Sequence, residues 1–432
     1  MGVFKMTTQI MMVLGVLLFL IVMLLIGKIP YGVSCMTCCV LFVVLGVCDI
    51  STAFSGLSSS TVIMIATMLV VASALGKTTF IDGLRDKMLS LQGKSSLLLM
   101  GAMFLFTIVL SQLMGQIAGL TMMLLFIQSL DEESDISPSR MVFVIATIGT
   151  LWLSRIPVGM GATMPSTINS FYGGMVSEND LLGLTDYFKA SALPAILGTI
   201  YCLFAYKLIP SHKIELNNET DSKNSTTKEF ISKRNERIIY VVFVAVIIGF
   251  MFSNLLGGIV NIIPAVGVLV LIYTKALNLK EVVSTLTNDM VWMVAGMTTV
   301  SNVLGVSGVG ELIGETVLKI LGNNPTPLFV ITVFCVFTTI MTNLMSNMGT
   351  MALMTPIAAA TAIAGGMNVK AVVLVVCVSA WFAIALPTGS AGAMMAFGLG
   401  KHNPFKLMKF TIPLLIICMI SLIFSVNLFF PL

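Results

Sequence analysis

Apolar runs long enough to cross a bilayer recur along almost the whole chain, separated only by short polar segments. A spanning helix needs about 20 predominantly apolar residues. Ten such runs can be read, at about 8–27, 32–48, 59–76, 139–157, 187–208, 238–255, 258–274, 290–305, 370–387 and 405–430. Two further stretches, about 95–130 and 326–365, are too long for one span. Charged residues make up only 10% of the 432, against about 25% in a soluble domain. The deficit is spread along the chain, which excludes a soluble protein with one anchor and makes this an all-α polytopic membrane protein. The first run is too long for a secretory h-region, and no small-residue cleavage site follows it.

Lys and Arg gather on the cytoplasmic side of spanning helices. The central polar segment, about 209–237, holds six of the 23, among them Lys228, Lys233, Arg234 and Arg237. If that segment lies inside, alternation puts eighteen basic residues inside and only Lys5, Lys189, Lys319 and Lys370 outside. This predicts both termini outside. The remaining one, Arg155, falls within a span. Cys35, Cys38 and Cys39 lie in an apolar run with no His or second pair nearby. A closed zinc site needs four ligands, so these thiols read as packing residues.

The chain repeats itself. Met64, Ala66, Met68, Val71, Leu75 and Gly76 match Met293, Ala295, Met297, Val300, Leu304 and Gly305, each pair 229 apart. The stretch from Ser111 to Gln116 matches Thr342 to Asn347, 231 apart. Arg140, Pro157 and Gly159 match Lys370, Pro387 and Gly389, 230 apart. Three blocks in one order and nearly one register define two related halves, 1–208 and 238–432, joined by the linker 209–237. Five spans separate each element from its mate. An odd number reverses its direction, so the halves are expected to be inverted repeats, the architecture of many secondary transporters.

Each half is expected to hold a re-entrant hairpin and a broken helix. The hairpins, 95–130 and 326–365, have small or polar interruptions at their centres, Gly115-Gln116 and Ser346-Asn347. Non-helical backbone at membrane depth is tolerated only where it is buried in protein or lines a cavity, so the tips are candidate binding elements. The broken helices, 139–172 and 370–400, are interrupted from Ile156 to Thr163 and from Leu386 to Gly392. Proline removes a backbone donor there, and glycine permits close approach. Such a break frees carbonyls for a cation and leaves a helix N-terminus that favours an anion. Amphipathic segments at about 79–92 and 308–321 are expected to lie in the interface.

All 19 acidic residues fall in loops, interface segments or span ends, and His212 and His402 lie in inner loops. Proton relays in membranes use buried Asp, Glu or His, so the coupling ion is expected to be a cation held by neutral oxygens, for which sodium is suited. Arg155, two residues before Pro157, reads either as the partner of a substrate carboxylate or anion path, or as an Arg bonded to carbonyls freed by the break. No organic cofactor and no nucleic-acid partner is expected. No nucleophile–base or metal constellation lies at membrane depth, so an enzyme is not expected.

The order of hairpin and broken helix, twice over, resembles the divalent anion/sodium symporter family of the ion transporter superfamily. The run from Met341 to Pro356 is similar to that family's Ser-Asn-Thr tip and following arm. Ala385 to Ser390, with Ala396-Phe397-Gly398, resembles its second break, and Ser137 to Arg140 fits the entry to the first. The resemblance covers about 59–430 and implies a sodium site in each half, with substrate carboxylates between the tips. The second sodium site would use Thr342, Ser346, Asn347 and the break at Thr388-Gly389. The first would use Ser111, Gly115, Gln116 and the break at Gly159 to Gly161. Substrate would meet Gln116, Ser346, Asn347, Thr388 and Ser390. The family's Ser-Asn-Thr is here Gly115-Gln116-Ile117 in one tip and Ser346-Asn347-Met348 in the other, and its Pro-Pro-Asn is Ala391-Gly392-Ala393. The resemblance further implies a homodimer in a bacterial plasma membrane.

The expectation is therefore a sodium-coupled importer of di- or tricarboxylates working by an elevator-like or rocking motion. An inorganic-anion or oxyanion permease, an anion exchanger and an ion channel are the rivals.

Overall fold

The structure is a computed structural model that describes residues 8–26, 28–75, 77–79, 96–113, 116–127, 130, 136–214, 232–252, 257–322 and 325–432. Helices make up its regular structure, and no strand occurs among the described residues. The first half comprises α1 (Thr8–Ile26), α2 (Tyr31–Val44), α3 (Ser60–Leu75), α4 (Ser96–Leu113), α5 (Gln116–Ile127), α6 (Pro138–Trp152), α7 (Met164–Tyr172) and α8 (Asp186–Ala205). The second comprises α9 (Lys233–Met251), α10 (Ile263–Tyr273), α11 (Leu279–Leu286), α12 (Asp289–Ser307), α13 (Val309–Leu321), α14 (Pro327–Leu344), α15 (Asn347–Ala364), α16 (Val369–Ser379), α17 (Ala391–Gly400) and α18 (Pro404–Phe429). The element order recurs: two helices, a third, a helical hairpin, a broken helix and a last long helix. The amphipathic segment at 308–321 is α13; its counterpart falls outside the described residues beyond Thr79.

Polarity is distributed as a bilayer demands. Ile412, Ile416, Ile420 and Phe424 form an exposed apolar stripe along α18, while Thr342, Thr350, Thr355 and Ser425 are fully buried. The buried hydroxyls turn inward because lipid offers them no partner. Thr355 Oγ1 donates to Met351 O at 2.6 Å and Ser425 Oγ to Lys189 O at 2.8 Å, whereas Thr350 Oγ1 is buried without a partner.

The halves exchange their third helices. Helix α12 packs against α2, and α3 against α9 and α10. Glycines allow this. A Cβ on Gly56 would lie 2.1 Å from Ala295 O, and one on Gly296 2.7 Å from Cys35 Cβ. Asp289 accepts from Gly32 N at 2.9 Å, and Thr299 donates to Ala53 O at 2.8 Å. Cys35, Cys38 and Cys39 are buried on α2, with Cys35 and Cys39 against α12. The hairpins, broken helices and last helices form a second body, in which α8 lies along α18, α17 along α6, and α14 and α15 along α16.

The breaks begin earlier than the Pro-Gly motifs suggest. Helix α6 ends at Trp152 and α16 at Ser379, five and eight residues before Pro157 and Pro387. A proline ring clashes with the carbonyl four residues back, here Leu153 and Ala383, which disfavours helix through those positions; α16 stops four residues earlier still. Ser154 takes a left-handed φ of 53° and Gly159 one of 62°; the non-glycine case costs on the order of 1 kcal/mol.

Candidate functional site

Helices α6, α7, α16 and α17 have 15, 9, 11 and 10 residues. At 1.5 Å per residue these are about 14–22 Å long, so each is shorter than a full span. The hairpin tips dock on the breaks.

Two amides make the docking. Asn343 Nδ2 donates to Phe382 O at 3.0 Å, and Asn343 Oδ1 accepts from Ala385 N at 2.8 Å. In the first half Gln112 Nε2 donates to Trp152 O, and Gln112 Oε1 accepts from Ile156 N at 3.2 Å. Gln112 and Asn343 are repeat mates 231 apart, and their partners are 230 and 229 apart. Each break is thus clipped by one buried amide through the donor and acceptor that the lost helix left unpaired. Sequence reasoning passed over both residues. The signal was present: a second polar residue in register beside Ser111 and Thr342, in an otherwise apolar helix.

The second tip brings together most of the residues expected there. Thr342 Oγ1 donates to Ala380 O and lies 3.1 Å from Asn347 Oδ1. Thr388, exposed, donates to Asn343 O at 2.7 Å. A Cβ on Gly389 would stand 2.9 Å from Thr342 O, so glycine lets the break lie against the tip. Ser346 caps α15, accepting from Gly349 N at 3.1 Å. Ser390 caps α17, accepting from Ala393 N at 3.0 Å, and donates to Ala383 O at 3.3 Å.

The first tip is built differently. Ser111 Oγ donates to Ile108 O of its own helix at 2.8 Å. Gly115 lies outside the described residues. Gly159 supplies its left-handed φ, and Gly161 sits where a Cβ would meet Ile156 O at 1.9 Å; no hydrogen bond links this turn to Ser111. Gln116 reaches across to the second half. Its Nε2 donates to Thr150 Oγ1 and lies 3.4 Å from Ser390 Oγ, while its Oε1 accepts from Gly392 N at 3.2 Å. Gln116 therefore occupies the N-terminus of α17.

Arg155 stands apart from this cluster. It is 1% exposed, its Nε donates to Leu151 O, and its guanidinium lies 5.7 Å from the Tyr187 ring on α8.

Apolar faces outward, two broken helices, and a polar cluster joining both halves at their tips fit an integral membrane transporter. The sequence model of the citrate transporter family matches residues 21–284 and 258–431. The chain belongs to the citrate transporter family, within the ion transporter superfamily that the tip and break motifs resemble. It is similar to a Haemophilus influenzae protein described as an uncharacterized transporter, 22% identical over 430 residues, covering 94% of this chain and 89% of that one. Its fold is similar to the crystal structure of the Alcanivorax borkumensis YdaH transporter, reported as having an unusual topology, with a TM-score of 0.62 at 13% identity over 98% of each chain.

Proposed function

We propose that the protein is a sodium-coupled symporter of small organic anions, di- or tricarboxylates with citrate foremost, working by an elevator-type movement. One observation carries this reading. Thr342 Oγ1, Asn347 Oδ1 and Ala380 O converge with a single O–H proton among them. Lone pairs that share too few protons repel, and a hard cation among them removes the repulsion. Unwound carbonyls and half-helix ends are the usual sodium ligands of transporters with broken helices. Sodium is here a co-substrate, held by Thr342, Asn347, Ser346 and the backbone at Ala380 and Gly389. A second ion would need Ser111, Gly115, Gly159 and Gly161, with the Ser111 hydroxyl turned away from Ile108 O.

The anion belongs beside it. The N-terminus of α17 presents N–H groups and the positive end of a helix dipole. Gln116 Oε1 accepts from Gly392 N there, the contact that a carboxylate oxygen would make. Gln116, Ser346, Asn347, Thr388 and Ser390 then form the substrate contacts, and substrate entry displaces the Gln116 amide. Cation and anion lie on the two sides of one break, so each favours binding of the other.

In this reading the body of α4–α8 and α14–α18 moves against α1–α3 and α9–α13. The joint supports sliding. A Cβ on Gly305 would lie 2.0 Å from Gly174 O, and one on Gly314 2.2 Å from Ala360 O. Bare backbones leave no side chains to climb over. A homodimer in a bacterial plasma membrane, termini outside, completes the proposal. The test is uptake of labelled citrate, succinate and sulfate by proteoliposomes with and without a sodium gradient. Concentrative carboxylate uptake that needs sodium is expected. Uptake indifferent to sodium and driven by a pH gradient would refute the coupling, and sulfate as the preferred solute would refute the substrate class.

A further inference from the structure

Arg155 carries an unanswered charge. Its Nη1 and Nη2 are buried without a hydrogen-bond partner, leaving four N–H donors unused. The Tyr187 ring face takes up part of the positive charge, but it cannot accept four hydrogen bonds. The electrostatic neighbours of the guanidinium are Tyr187 and Cys418, and neither is a carboxylate. Asp186, next to Tyr187, faces Lys189 at 3.5 Å and Lys370 at 3.9 Å instead. Tyr187 OH and Ser191 Oγ are also buried without partners. Tyr187 and Ser191 lie four residues apart on one face of α8. Four of the seven buried, unpartnered side-chain atoms among the described residues thus belong to Arg155 and to the face of α8 it meets.

A buried, unpaired charge is strongly unfavourable, and a bound counter-ion removes the penalty. We propose that Arg155, Tyr187 and Ser191 form a binding site for a small inorganic anion of the halide class, lodged between α6, α8 and α18. The site is separate from the hairpin tips. Gln112 holds the break on either side of Arg155, at Trp152 and Ile156, whereas the Arg155 side chain turns to α8. Arg155, Tyr187 and Ser191 are 1%, 1% and 0% exposed, so a small ion fits more readily than a tricarboxylate. The anion would lock the first break in its shape by neutralising the one charge inside it.

The test measures thermal unfolding of the purified full-length protein in lipid nanodiscs at fixed sodium, in chloride or bromide against isethionate. Chloride and bromide are expected to raise the midpoint saturably. Arg155→Gln should abolish that response and be at least as stable as the unaltered protein in isethionate, because it removes the uncompensated charge. Tyr187→Phe keeps the ring and should weaken the halide response several-fold. Equal midpoints in halide and isethionate would overturn the proposal, as would a full halide response in Arg155→Gln. If Arg155→Gln does not fold, crystals grown in bromide decide: anomalous signal beside Arg155 is expected, and its absence overturns the site. Stabilisation by citrate or succinate that needs Arg155, without any response to halide, would also overturn it and give the residue to the transported substrate. None of these readouts depends on uptake, so they stand or fall separately from the symport reading.

Discussion

The two hairpin–break pairs share one part and differ in another. Gln112 and Asn343 clip their breaks through equivalent carbonyls and N–H groups. Beside the clips the likeness ends. Thr342 faces Ala380 O and Asn347, whereas its mate Ser111 turns to its own helix. Asn347 stays within its half, whereas its mate Gln116 crosses to Ser390 and Gly392 of the other. The shared part keeps a broken helix folded inside a membrane, and any protein with this architecture must solve that problem in both halves. The divergent part has no such duty, so it is free to be specialised, one tip for a cation and the other for the anion's position.

The clips are the severest test of the shared part. Asn343→Leu or Gln112→Leu strands a buried carbonyl and a buried N–H, at about 1–3 kcal/mol each. Both variants are expected to lower the unfolding midpoint and to lose uptake about 100-fold, which corresponds to about 2.7 kcal/mol. The equivalence of the two halves breaks if one variant is inactive and the other transports normally.

Gly392 tests the cross-half contact. A Cβ there would lie 2.3 Å from Gln116 Cδ and Nε2. Gly392→Ala should cut uptake about tenfold, or about 1.4 kcal/mol. The clash is with a side chain, so Gln116→Ala should relieve it. Uptake by the double variant is expected to exceed that of Gly392→Ala, a non-additivity that neighbours show and distant sites do not. Strictly additive losses would mean that Gln116 does not sit on α17 during transport.

A milder pair probes the cation tip. Thr342→Val keeps the shape and removes the oxygen, and it should raise the sodium concentration for half-maximal uptake about fivefold, or roughly 1 kcal/mol. Ser111→Ala should change it by less than about twofold, since that hydroxyl already serves its own helix. Equal shifts would show that both tips hold sodium in the same way.

Much of this was legible in the sequence. Register at offsets of 229 to 231 located both tips and both breaks, because apolar helices with a few fixed polar positions leave little room for chance matches. Of the residues that the family resemblance named, Thr342 meets Asn347, Thr388 meets the Asn343 carbonyl, and Ser390 meets Ala383 and Gln116. Three things were not legible. Gln112 and Asn343 stand beside the tips rather than in them, and their partners lie 39–44 residues further along the chain, which no local pattern encodes, although a buried amide in a span is costly enough to need a reason. The early end of α6 at Trp152 fits the reach of the proline ring back to Leu153, whereas α16 stops at Ser379, four residues short of Ala383, which the Pro-Gly motif does not encode. The direction in which Arg155 points depends on how α8 packs, which no local pattern encodes.

The smallest effect concerns how each broken helix is anchored at its start. Lys370, at the start of α16, faces Asp186 at 3.9 Å. At the start of α6, the Ser139 carbonyl lies 2.8 Å from His402 Nε2, and His212 Nε2 lies 2.6 Å from Gly400 O, with the two rings 4.9 Å apart. Arg140, next along α6, donates to Ile209 O at 2.8 Å. Burial holds the His402 imidazole below its usual range, and the nearby His212 pushes the same way, against the Ser139 carbonyl, which favours the charged form. The neutral form therefore suits the folded state. An unfolded histidine takes up its proton near pH 6.5, so the stability from this anchor is complete above that value. It is lost as pH falls through about 6.5 and on through the lower folded value. The unfolding midpoint should drop between pH 7.5 and 5.5, and His402→Gln, which can still donate to Ser139, should flatten that drop. Lys370→Met should leave the slope unchanged while lowering the midpoint slightly throughout. If His402→Gln keeps the full pH dependence, the two anchors do not differ in the way their chemistry implies, and the contrast between the halves ends at the tips.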